Sequence, residues 1–296
     1  MSVTPASLRQ SAETLSGALP PLLVGAEHLA NSALPGAHGR RRAGTGAEFW
    51  QFRPAVASDS ATRIDWRRSA RGDEHFIRET EWQAARAVTI WVDDGAAMGF
   101  SGAPRKRVGK GDRARLLAMA LALLLLRGGE RVGLARADMA PRGGRAQATT
   151  LALALAETAA ETGEHATPDL SATPTGGHAV LFSDFLGPLD PVEHAMHEAA
   201  ERNLRGMLVQ VLDPAEESLP YDGRTRFESM SGHLAFETLR AGDLRAAYRD
   251  RLAARKDRLA TLARSGGWQF ATLHTDSAPS AGLLWLWHAL GGGWRR

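Results

Sequence analysis

Val88-Thr89-Ile90-Trp91-Val92 runs straight into Asp93-Asp94-Gly95-Ala96-Ala97-Met98. A short β-favouring run of this kind reads as a strand buried on both faces, and the acidic turn ends it. Open α/β sheets bind ligands at the carboxyl ends of their strands, so a site is expected at this turn. The pattern recurs downstream. His178-Ala179-Val180-Leu181-Phe182-Ser183-Asp184-Phe185 is another apolar run stopped by an acid, and the run 206–212 stops at Asp213-Pro214. Strands at 131–137 and 268–273 complete five. Helical spacing is read between and after them at 113–127, 149–161, 191–203, 242–264 and 281–290. Strands alternating with helices predict an α/β fold: a doubly wound, mostly parallel sheet with helices on both faces. Residues 215–235, around Tyr221-Asp222-Gly223, read as a meander or hairpin excursion. Residues 99–112 read as a loop, in which Lys110-Gly111-Asp112 receives no role.

Upstream the chain changes character. Residues 5–33 read as two short helices broken at Pro20-Pro21, and the Gly-rich stretch 39–46 as a loop. From 48 to 81 it is dense in Arg, Trp, Phe and carboxylates without a clean period. Composition narrows the classes. With 44% hydrophobic and 23% charged residues, a 296-residue chain is ordinary globular material. It has no cysteine, which excludes disulfides, thiolate metal sites and iron–sulfur clusters. The longest apolar run, 116–126, is far shorter than the ~20 residues that span a bilayer, and no signal peptide is read at the start. A cytoplasmic protein is expected. The sequence pI of 9.8 accompanies a net charge of only +3, because 33 of the 36 basic residues are arginines. Acids are interleaved with them, so no chain-wide nucleic-acid signature is present.

Three blocks carry a family resemblance. They are Gly39-Arg40-Arg41-Arg42-Ala43-Gly44-Thr45-Gly46-Ala47-Glu48-Phe49, then Ile64-Asp65-Trp66-Arg67-Arg68-Ser69-Ala70-Arg71, then Arg78-Glu79. Together they resemble the signature of the bacterial domain-of-unknown-function family fifty-eight (DUF58). Asp213-Pro214-Ala215-Glu216-Glu217, Leu219-Pro220 with Gly223, and Thr275-Asp276 are similar to its later blocks. The resemblance implies a von Willebrand factor A-like domain at 87–290, preceded by an N-terminal Arg/Trp-rich module at 1–86 and followed by a tail at 291–296. It also implies a non-enzymatic adaptor that works with a MoxR-type AAA+ ATPase and its client proteins, and leaves room for membrane-protein partners. Two other classes stay open: a metal-dependent hydrolase using Asp93, Asp94 and Asp184, and an arginine-mediated nucleic-acid binder.

A von Willebrand factor A site, as the resemblance implies it, holds Mg²⁺ through an Asp-x-Ser-x-Ser turn, a Thr from a second loop and an Asp from a third. A partner's carboxylate completes the shell. Asp93 takes the first position, Thr150 (or Thr149) the second-loop position and Asp184 the third. Gly95 and Ala97 stand where the two serines belong, and neither carries a side-chain oxygen. A hard cation that wants about six oxygens would have to replace both with water. A degenerate site is therefore expected, with no cofactor and Mg²⁺ at most weakly held. Its acids would cap helices or accept backbone N–H bonds instead.

Arg40, Arg41 and Arg42, next to glycines and away from acids, are the first candidate partner contact. Asp94 and Met98, on the strand-end edge with Asp93 and Asp184, are the second. The other arginines of the block read as scaffold, paired with Glu48, Asp65 and Glu79 while Trp50 and Trp66 pack. His194 and His197 have i, i+3 spacing but lack a metalloprotease pattern, and read as a solvated helix face. No Walker A motif and no Gly-x-Ser-x-Gly elbow is present, so no catalytic residue is assigned.

Overall fold

The computed structural model describes residues 21–33, 48–56, 59–70, 72, 74–81, 85–136, 138–157 and 163–292. The chain divides into two compact units, residues 36–85 and residues 1–35 with 86–296. Helix α1 (Pro21–Ala33) belongs to the second, larger unit. Its Leu23, Ala26, Leu29 and Ala30 are core residues there. The sequence reading placed this helix with the Arg/Trp module. Its apolar stripe is what takes it into the sheet's helical layer.

In the small unit, β1 (Glu48–Pro54) pairs antiparallel with β2 (Phe76–Glu81), with a register shift between Phe49 and Gln51. Between them lies the single-turn helix α2 (Trp66–Ser69), in a stretch where no clean period was read. Asp65 is committed locally, but to backbone: its carboxylate caps α2 by accepting the Arg68 N–H at 3.1 Å. The Ser69 hydroxyl accepts the Phe76 N–H at 2.9 Å and donates to the Asp65 carbonyl, locking α2 onto β2. Trp66 is not packing but exposed, edge-on to His75.

The large unit is built on β3 (Ala87–Val92), β4 (Arg131–Leu134), β5 (His178–Ser183), β6 (Arg205–Leu212) and β9 (Gln269–His274). All neighbours are parallel, in the order β4-β3-β5-β6-β9. Counted along the chain this is 2-1-3-4-5, a doubly wound order whose switch point lies between β3 and β5. The strand side chains alternate between two cores, as the pleat requires. Val88, Ile90, Val180, Phe182, Met207 and Val209 face one layer, made by α1, α3 (Lys110–Arg127), α4 (Arg145–Ala156) and α8 (Pro279–Gly292). Trp91, Ala179, Leu181 and Leu208 face the other, made by α5 (Asp190–Glu201) and α7 (Arg245–Ser265). Helix α3 is apolar nearly all round because it is sandwiched between the sheet and the other helices of its layer. Besides short 3₁₀ turns, the other described elements are α6 (Pro214–Ser218) and the hairpin β7 (Thr225–Glu228) and β8 (Ala235–Thr238). Among the described residues no helix is long and apolar enough to cross a membrane.

His178 opens β5 at the amino ends of the strands. Its burial, and then the charges of Arg86 and Arg205, push its pKa down to about 4. An unfolded imidazole titrates near 6.5. Between those values the unfolded chain binds the proton and the folded one does not, so stability falls as pH drops through that window. Discounted for partial solvent screening, the loss is about 2 kcal/mol. Urea melts at about pH 7.5 and about pH 4.5 should show a smaller acid loss for His178→Gln than for wild type. Equal losses would place the acid sensitivity elsewhere.

Candidate functional site

Asp93 lies at the carboxyl end of β3 and is 2% exposed. Its Oδ1 accepts the Gly95 N–H at 2.8 Å and the Ala166 N–H at 3.1 Å; its Oδ2 accepts the Ser183 hydroxyl at 2.6 Å. Burial raises the pKa of this carboxyl, against the pull of the three donors. The Ser183 Oγ in turn accepts the Phe185 N–H at 2.9 Å, so β3 and β5 are tied at the switch point. The 3₁₀ turn Ala96–Gly99 is fastened to the segment 163–166, with Ala96 N–H donating to Gly163 O and Ala97 N–H to Glu164 O. That segment explains Gly95. A Cβ there would stand 2.6 Å from Glu164 O, 2.7 Å from His165 Cα and 2.9 Å from Ala166 N, all backbone atoms.

The second feature is a buried ammonium. Lys110, in the first turn of α3, is 1% exposed. Its Nζ donates to Asp184 Oδ2 at 2.6 Å and to Glu216 Oε1 at 2.5 Å, with the Phe100 ring centroid 5.6 Å away. Burial by itself would lower its pKa. The Asp184 and Glu216 charges outweigh that and raise it, so the ammonium stays protonated. The carboxylates are further committed: Asp184 Oδ1 accepts the Leu186 N–H, and Glu216 Oε2 accepts the Asp213 N–H. The latter closes a capping box on α6, whose N-cap Asp213 also accepts the Thr275 hydroxyl at 2.9 Å and the Arg107 guanidinium at 3.3 Å. Phe185, directly after Asp184, is held at φ 49°, a left-handed conformation that costs about 1–2 kcal/mol for such a side chain. Alongside, Glu217 pairs with the Lys256 ammonium and lies 3.1 Å from His274 Nε2. The carboxyl ends of β3, β5, β6 and β9 are thus joined in one polar net.

Residues 51–258, well over half of the chain, match the family described as "Protein of unknown function DUF58". The chain belongs to the DUF58 family. No curated protein sequence matches it. Among solved structures it is similar to an aerotolerance-related membrane protein from Bacteroides fragilis, at 13% identity and a TM-score of 0.41, covering 69% of this chain and 98% of that one. The conserved hypothetical protein BatB from Bacteroides thetaiotaomicron is similar at 13% identity and a TM-score of 0.39, with the same coverage.

In this DUF58 chain the expected metal residues do not converge. Asp93 and Asp184 meet at the switch point, linked through Ser183. Thr150 does not join them. It sits within α4, exposed, with its hydroxyl donating to Ala146 O at 3.1 Å. The chain leaving β4 turns back, with Arg142 bridging to Val132, so α4 starts low on the sheet and the loop that reaches Asp93 is 163–166. Met98 is 2% exposed and lies in the core under the turn, so it presents nothing to a partner. Asp94 is exposed and lines a shallow cleft with Arg115, Arg136 and Glu157. Arg40, Arg41 and Arg42 lie outside the described residues. His194 and His197 are exposed and pair with Glu198 and Glu201 one turn on.

Mg²⁺ of the kind that the resemblance implies does not fit this arrangement. Both Asp93 oxygens already accept donors from the fold, backbone fills the space beside Gly95, and an ammonium already stands between Asp184 and Glu216. Among the described residues no three His, Cys, Asp or Glu side chains form a metal-holding group. The residue that sequence reading missed is Lys110. Its signal was present: one of only three lysines in an arginine-rich chain, just ahead of the longest apolar run, where a cation opposes the helix dipole.

Proposed function

We propose that this protein is a non-enzymatic, cytoplasmic adaptor of a MoxR-type AAA+ ATPase, whose von Willebrand factor A-like unit offers its strand-end edge for docking. One observation carries the reading. The β7–β8 hairpin folds its tip over the edge: Glu164 accepts the Met230 and Ser231 N–H groups at 3.1 and 2.8 Å, and the Met230 methyl packs against Gly99. Beyond that anchor the hairpin exposes Leu234 (72%), Phe236 (57%) and the adjoining Leu239 (73%). Apolar side chains clustered outside any core mark protein-interaction surfaces. The loop 100–109 contributes exposed Val108, Arg105 and Lys106 to the same unit.

The hydrolase alternative needs carboxylates free to bind metal or move protons, and those of Asp93 and Asp184 are committed within the fold. The nucleic-acid alternative finds little support in the arginine-rich helix α7. Arg245, Arg249 and Arg255 donate to backbone carbonyls, while Lys256 and Arg258 pair with Glu217 and Glu193. The test is affinity for the purified ATPase of the same host, with and without a non-hydrolysable ATP analogue. Leu234→Glu with Phe236→Glu should weaken binding at least about tenfold, the effect of one lost hot spot, with an unchanged melting temperature. Unaltered affinity would remove the hairpin from the interface.

A further inference from the structure

The buried site at the switch point has a cation of its own. We infer that Lys110 stands in for a divalent ion: the protein has built its counter-charge into helix α3, and the pocket between Asp184 and Glu216 is a latent divalent-cation site that the wild-type ammonium keeps closed.

Geometry comes first. Asp184 Oδ2 and Glu216 Oε1 face each other across the single Nζ atom, at 2.6 and 2.5 Å. An Mg²⁺–oxygen bond is about 2.0–2.1 Å, so an ion in that position needs each carboxylate to move inward by only about half an ångström. Both carboxylates are already aimed, Asp184 by the Leu186 N–H and Glu216 by the Asp213 N–H. Two carboxylates with several waters are an ordinary shell for this metal, and deleting the lysine side chain opens room for those waters. Charge is the second ground. One ammonium faces two carboxylates, and the His165 imidazole lies 3.9 Å from the far oxygen of Asp184; a divalent ion in place of the ammonium would match the two carboxylates charge for charge. Residue choice is the third. Arginine supplies nearly all the positive charge of this chain, whereas this position carries the compact point charge that resembles an ion. The inference does not depend on the docking surface above.

The experiment titrates Mn²⁺ into wild type, Lys110→Ala and Lys110→Ala/Asp184→Asn, reading the loss of the free-ion paramagnetic signal and the melting temperature. Lys110→Ala should bind one equivalent and melt several degrees higher with Mn²⁺ than with chelator; wild type and the double variant should do neither. Because Lys110→Ala alone is destabilised, it is also refolded from urea with Mn²⁺ or with chelator, and metal should raise the folded yield. Failure of Lys110→Ala to bind, or equal misfolding under both conditions, would reduce Lys110 to a simple ion pair. Stoichiometric binding by wild type would overturn the inference from the other side.

Discussion

Lys110→Met should lower the stability of the large unit by about 3–5 kcal/mol near neutral pH, the usual result of removing one partner from a buried charge pair. For a unit of this size that is a fall of roughly 10 °C in melting temperature. Methionine keeps the length and apolar stem of lysine, so the cost comes from charge: Asp184 and Glu216 remain buried, close together and without their cation. The pH dependence gives the cause away. Without the ammonium, the two carboxylates take up protons more readily in the folded state than in the unfolded chain. Where the folded state binds more protons, stability rises as pH falls. The gap between variant and wild type should therefore narrow between about pH 7 and pH 5. Adding Asp184→Asn and Glu216→Gln should recover part of the loss, since apolar and neutral replacements of a whole buried ion group are far better tolerated than half of one. A gap independent of pH would mean that Lys110 acts through packing alone.

The second large effect concerns the glycine in the acidic turn. Restoring a serine at Gly95 looks, on sequence grounds, like repair of a metal site. Structure predicts the reverse: Gly95→Ser should destabilise by about 2–3 kcal/mol, because its Cβ would press on the backbone of Glu164, His165 and Ala166, which has no rotamer to give. That backbone also supplies the Ala166 N–H that holds Asp93 and the carbonyls that hold the turn. With Ala97→Ser added, millimolar Mg²⁺ should still leave the melting temperature unchanged, as ligand binding to the folded state alone would have to raise it. A Mg²⁺-dependent rise in that double variant would show that the two missing hydroxyls were all the site lacked.

How far the residues announced this structure varied with the kind of signal. The five parallel strands were legible because β3 and β5 are continuous apolar runs closed by acids, and buried parallel strands have that form. Boundaries failed where backbone packing set them. Strand β4 stops at Leu134 rather than near 137, and a Cβ at its Gly133 would lie 2.3 Å from Met139 O, so the returning chain closes tightly on it. Helix α3 begins at Lys110 rather than 113 because its N-cap is Gly109, which provides no side-chain cap to read. Those three residues decided the site: placed in a loop, Lys110 looked like surface charge. Helix α4 likewise starts at Arg145 behind Gly144, at φ 93°, and this moved Thr150 from the start of the expected helix, beside its loop, into mid-helix. Asp93 and Asp184 were identifiable as strand-end acids. Their partners were not, since Lys110 and Glu216 are separated from Asp184 by 74 and 32 positions and meet only through the fold.

Hydrogen–deuterium exchange on the chain alone, and mixed with the MoxR-type ATPase and a non-hydrolysable ATP analogue, tests the docking reading most directly. The account predicts nucleotide-dependent protection over residues 228–239 and the loop 100–109, with amides at the amino ends of the strands unchanged. Protection confined to other surfaces, or none in any nucleotide state, would contradict it.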